Sequence, residues 1–107
     1  MKIGIMLSTN DPETVWNAFR FGVTSLKEKH SVNIFLINRG VEAEEIKDAK
    51  YNVCEQIDLF VKNNGHILAC GTCLKSRHKE GNNICPISTM QDLLKMVEDS
   101  DKILSFG

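Results

Sequence analysis

The chain has 107 residues, 42% of them hydrophobic, which is enough for one buried core and too little for two, so residues 1–107 read as a single domain. Acidic and basic residues nearly cancel at a net charge of −1, and no long like-charge block occurs, so bulk electrostatics give no reason to expect a nucleic-acid or membrane partner. No segment approaches the roughly 20 apolar residues of a membrane span, and "MKIGIMLSTNDPE" lacks the form of a signal peptide, so a cytoplasmic protein with reduced cysteines is expected.

The elements alternate along the chain. "KIGIML" (2–7) is a short apolar run closed by the turn residues "STNDP", and reads as a buried strand. Asp11 then fits a helix N-cap and Pro12 the first helical position, with Val15, Phe19, Val23 and Leu26 recurring at helical spacing over about 12–29. "VNIFLIN" (32–38) is a second strand. A second helical pattern through Ile46, Ala49, Val53, Ile57 and Phe60 has an irregular start, because Gly40 and "EAEE" precede it, and it stops at "NNG".

"HILAC" (66–70) is the third strand, and a helix is expected from Thr72 or Cys73. "ICPI" (84–87) is a short strand whose Pro86 places it at an edge or a strand start. Ser88 or Thr89 caps a last helix, with a Leu93/Leu94/Val97 inner face, before the strand "KILSF" (102–106). Continuous rather than alternating hydrophobicity in the strands implies cover on both faces. The β-α-β-α-β-α-β-α-β order predicts an α/β fold with one parallel sheet and right-handed crossovers.

Chemistry concentrates in "HILACGTCLKSRH" (66–78). In open parallel sheets ligand-handling groups gather at the carboxyl edge of the strands. Cys70 ends the third strand and is therefore expected to stand exposed on that rim. Gly71 permits the turn, and Thr72 or Cys73 opens a helix whose free amides, with Lys75 and Arg77, favour a nucleophilic thiolate. The spacing of Cys70 and Cys73 also brings two sulfurs within bridging distance.

Other readings of the same cysteines stand beside this one. Free cysteines often serve as small buried hydrophobes. Cys70, Cys73, His78 and Cys85 carry three sulfurs and an imidazole at nearly zinc-knuckle spacing, although the run begins inside an apolar strand and continues into a helix. A thioredoxin-like pair would lie after the first core strand rather than the third.

"ACGTCLKSRH", followed by "CPISTMQDLLKMVEDSDKILSF", resembles the DsrE/DsrF-like family, which includes TusD-type sulfur-relay proteins. "FLINRGV" after the second strand extends the likeness to nearly the whole chain, and its most specific part is Cys70 followed seven residues later by Arg77. The Cys-Gly-x-Cys single-domain members look most similar. The resemblance implies a three-layer α/β/α fold with a five-stranded sheet and assembly into trimers or hexamers; no cofactor is expected. It puts Cys70 in the place of the cysteine that carries sulfur as a persulfide, with Cys73 as an additional thiol able to resolve it. The expected function is that of a sulfur carrier or sulfurtransferase, with donor and acceptor proteins or small persulfides as partners. Members usually have Arg-Gly where this chain has Arg77-His78.

Other residues are given plainer roles. Cys54, near the Ile57 and Val61 face, reads as core filler. Cys85 is either a third thiol near the site or structural. His66 reads as a strand-end residue, His30 as a favourable group at a helix end, and "STND" (8–11) as a cap. Trp16, Phe19 and Phe21 cannot all point inward from one helix.

Overall fold

The computed structural model describes all of residues 1–107. Its elements are β1 (Lys2–Leu7), α1 (Pro12–Lys27), β2 (Ser31–Leu36), a run of 3-10 turns (Asn38–Glu45), α2 (Val53–Lys62), β3 (His66–Cys70), α3 (Gly71–Ser76), β4 (Ile87–Ser88), α4 (Met90–Asp99) and β5 (Lys102–Phe106). All paired strands are parallel, in the order β4-β3-β2-β1-β5. Steps from β1 to β4 move one way across the sheet, so right-handed crossovers put α1, α2 and α3 on one face, and the return to β5 puts α4 on the other. Helix α1 packs on α2, and α4 packs on β1. This is the expected five-stranded α/β/α arrangement. No helix is long and apolar enough to cross a membrane.

Local chemistry explains the helix ends. The Asp11 carboxylate accepts from the Thr14 N–H, as expected of the cap. Of the two candidates for the α4 cap, Thr89 is the one used, in a reciprocal box with Asp92. Helices α1, α2 and α3 all end with a residue in the left-handed region, namely Lys29, Asn64 and His78 (φ 70, 70 and 54°). After α3, the His78 N–H bonds the Lys75 carbonyl and the Lys79 N–H bonds the Leu74 carbonyl. These bonds satisfy carbonyls that the helix leaves free. The tight turn that family members make with glycine therefore forms here with histidine, a residue that tolerates positive φ better than most.

Several boundaries differ from the sequence reading. Helix α2 starts at Val53 rather than Ile46, because 3-10 turns occupy Asn38–Glu45 and Asn52 supplies the cap. Helix α3 starts at Gly71 rather than at Thr72 or Cys73, and β4 is Ile87–Ser88 rather than 84–87. On α4, Met96 is buried and Leu93 packs partly against the core, whereas Leu94 and Val97 are exposed, so the inner face is rotated from the expected one. Strand β5 is exposed along most of its length because it is a sheet edge, with only β1 beside it. Phe19 is fully buried, Trp16 half-buried and Phe21 exposed, dividing the α1 aromatics as expected.

Candidate functional site

The site forms where β3 runs straight into α3. Gly71 sits close against the neighbouring β4: a Cβ there would lie 3.2 Å from the Ser88 carbonyl oxygen and 3.3 Å from Ile87 Cγ1. Cys70, the last residue of β3, pairs with Ser88. The first turn of α3 brings Cys73 back toward it, near enough for each thiol to influence the ionisation of the other. All four cysteines are free thiols.

The expectation that Cys70 stands exposed on the rim is not met. Cys70 is only 4% exposed, because α3 begins immediately and laps over the strand end. Cys73 is the half-buried member of the pair. The N–H of Asn38, two residues past the end of β2, donates to Cys73 Sγ at 3.2 Å. Asn38 holds φ 53°, a conformation that asparagine accepts more readily than most side chains.

The expected cations are arranged differently too. Arg77 Nε donates to Glu42 Oε2 at 2.7 Å, and its Nη1 donates to the Cys73 carbonyl at 3.1 Å. The guanidinium, and then the Asn10 amide, hold the Glu42 carboxyl below the usual carboxylate range. Much of the Arg77 charge is thus answered by a carboxylate rather than left for a thiolate. Lys75 is exposed on α3, and Thr72 uses its carbonyl to accept from the Ser76 hydroxyl. Helix α3 has only six residues, so its aligned dipoles are few.

Burial is the main cause pushing the Cys73 thiol above its ordinary value, with the nearby Cys70 adding to it and the Asn38 N–H and Arg77 opposing it. A raised value means less thiolate at neutral pH. Alkylation of Cys73 by iodoacetamide is therefore expected to run several-fold slower at pH 7.5 than that of an unstructured cysteine. It should still be rising as pH passes the free-thiol value of about 8.5. A rate that levels off below pH 8 would contradict this electrostatic picture.

The remaining candidates separate. Cys85 is buried, and burial followed by the Glu44 carboxylate pushes its thiol strongly up. It fills the core beneath the 79–86 loop as a protonated thiol. Cys54 is exposed rather than core filler, with Sγ 3.9 Å from the Glu44 carbonyl oxygen, because α2 turns it toward the 3-10 segment. His66 is exposed, and His30 Nδ1 lies 2.8 Å from the N-terminal amine. Cys70, Cys73, His78 and Cys85 are not gathered as a zinc site: no three His, Cys, Asp or Glu side chains converge in a group that could hold a metal.

Beside the thiols, at the carboxyl ends of β1 and β2, lies an open polar cleft of about 480 Å³ lined by Asn10, Glu42, Glu45, Lys47, Arg77 and Lys79. Its charges are largely matched internally, Arg77 with Glu42 and Lys79 with Glu45. Asn38 and Glu42 were missed in the sequence. Asn38 carried a readable signal as an asparagine in "NRG" just past a strand, whereas nothing local marks Glu42 as the partner of a residue 35 positions away.

An uncharacterized protein of Methanopyrus kandleri is 31% identical over 100 residues, covering 88% of this chain and 83% of its own. An uncharacterized protein of Methanocaldococcus jannaschii is 30% identical over 100 residues, covering 88% of each. A conserved protein of unknown function from Bacteroides thetaiotaomicron has the same fold, with a TM-score of 0.76 at 23% identity over 97% of this chain and 93% of that one. The DsrE/DsrF-like family model matches residues 1–106, so with the parallel five-stranded sheet and the relatives' similarity along most of its length, the chain belongs to the DsrE/DsrF-like family.

Proposed function

We propose that this protein receives, holds and passes on sulfane sulfur as a cysteine persulfide at the Cys70–Cys73 pair. Cys70 occupies the place that the family resemblance gives to the sulfur-bearing cysteine. The family is associated with sulfur relay. The observation that carries the reading is the proximity of two free thiols at the carboxyl end of β3, one ending the strand and the other in the first turn of α3. A reducing compartment such as the cytoplasm suits it, because the pair must be a dithiol to accept sulfur. Donors and acceptors are proteins or small persulfides.

Intact-mass measurement after incubation with glutathione persulfide tests the proposal. The wild type is expected to gain one sulfur atom per chain, removable by a thiol reductant, and the Cys70→Ala/Cys73→Ala double variant to gain none. A wild type whose mass never changes would reduce the protein to a structural or interaction subunit, and zinc co-purifying at one per chain would favour the metal reading.

We also propose that the chain works as a homo-oligomer, of trimer or hexamer order. Met90, Leu94 and Val97 form an outward apolar stripe on α4 at 54%, 58% and 42% exposure, beside the exposed Ile87. A contiguous patch of this kind is costly to leave in water. Sedimentation velocity should show more than one chain per particle, and Leu94→Glu should shift the population toward the monomer. A monomeric wild type at tens of micromolar would refute the assembly.

A further inference from the structure

The two thiols differ in access. Cys70 is 4% exposed, whereas Cys73 is half-buried, so a molecule arriving from solvent reaches Cys73 more readily. Cys73 also has the better-equipped sulfur. The Asn38 N–H is aimed at it, and that amide is fixed by the turn that follows β2: Ile37 N–H and Gly40 N–H bond the Leu7 and Ile37 carbonyls, and Gly40 lies flat against the Leu7 carbonyl. An N–H donor held in place favours sulfur when it carries negative charge, either as attacking thiolate or as leaving group.

Resting on the persulfide reading, we infer that Cys73 is the thiol through which sulfur enters and leaves, and that the more deeply buried Cys70 is the sheltered resting place. This reverses the order of roles expected from the sequence, in which Cys70 meets the donor. In the first step the Cys73 thiolate attacks the terminal sulfur of a donor R–S–SH. A new S–S bond forms at Cys73, the donor S–S bond breaks, and R–S⁻ leaves with the bonding pair and takes up the proton that Cys73 had lost. In the second step the Cys70 thiolate attacks the terminal sulfur of Cys73–S–SH, and the Cys73 sulfur departs with the bonding pair and the Cys70 proton. One thiol is consumed and one regenerated in each step, so neither involves net oxidation. Unloading to an acceptor thiol runs the same steps backwards. Shelter at Cys70 limits oxidation of the stored sulfur, because such reactions follow exposure.

The test is the rate of sulfur uptake from glutathione persulfide, followed by intact mass in wild type, Cys70→Ala and Cys73→Ala. Cys73→Ala should load at least tenfold more slowly than wild type, whereas Cys70→Ala should still take up sulfur and hold it on Cys73. Equal rates for Cys73→Ala and wild type would overturn the inference while leaving the persulfide reading intact. No uptake by wild type would overturn both. A second measurement needs no variant: brief treatment of wild type with limiting iodoacetamide, then fragmentation mapping, should place the label on Cys73 in at least tenfold excess over Cys70. Preferential labelling of Cys70 would overturn the inference.

Discussion

Phe60→Ala is expected to lower the stability of the fold by about 3–5 kcal/mol and its melting temperature by roughly 10–20 °C. Phe60 is fully buried where α2 packs on α1, and its ring meets Phe19 edge-on at 5.4 Å between centroids. Two glycines are shaped around it. A Cβ at Gly65 would lie 2.5 Å from the ring, and one at Gly22 2.7 Å from it. Both positions are empty because the ring fills them, so its loss leaves a cavity bordered by backbone that has little freedom to collapse. Most domains of this size have only about 5–15 kcal/mol to lose. Urea denaturation of the variant measures the effect, and a loss below 1 kcal/mol would contradict this description of the α1–α2 interface.

Gly40→Ala is expected to cost about 1–3 kcal/mol and to disturb the thiol pair as well. An added Cβ would fall 2.0 Å from the Leu7 carbonyl oxygen and 2.9 Å from its carbon. These are backbone atoms at the carboxyl end of β1, an interior strand paired on both sides, so no rotamer change relieves the clash and the turn itself has to move. That turn carries the Asn38 N–H that bonds Cys73 and leads into Glu42, the partner of Arg77. The variant should therefore unfold at lower urea and also show Cys73 alkylation displaced to higher pH, since an opposing influence on a raised thiol is weakened. Unchanged stability would mean that the close approach of Gly40 to β1 is not a constraint. Lost stability with unchanged alkylation would separate the turn from the thiol.

The contrast between these two regions shows what the sequence could reveal. Strand and helix order was legible because each strand is a short apolar run closed by turn residues, and because Asp11-Pro12 and Thr89 cap in ways that depend only on near neighbours. The cysteine-bearing strand end was legible for the same reason. Cys70 accessibility was not, because it depends on how α3, which begins directly after the strand, packs on the strand end. Arg77 looked like a free cation until the fold placed Glu42 beside it. The orientation of α4 was not legible because Leu94 and Val97 are as apolar as the residues that face inward, and Met96, at 4% exposure, takes the inner position instead. His78 shows the opposite case: the departure from glycine was visible, yet the turn forms regardless.

The claim on which the functional account rests is that the Cys70–Cys73 pair holds transferable sulfane sulfur. Cyanide removes such sulfur as thiocyanate and leaves ordinary thiols and disulfides without that product. Protein loaded with glutathione persulfide, freed of excess donor and treated with cyanide should release about one thiocyanate per chain, and the Cys70→Ala/Cys73→Ala variant should release none. Thiocyanate released equally by both proteins, or by neither, would contradict the account.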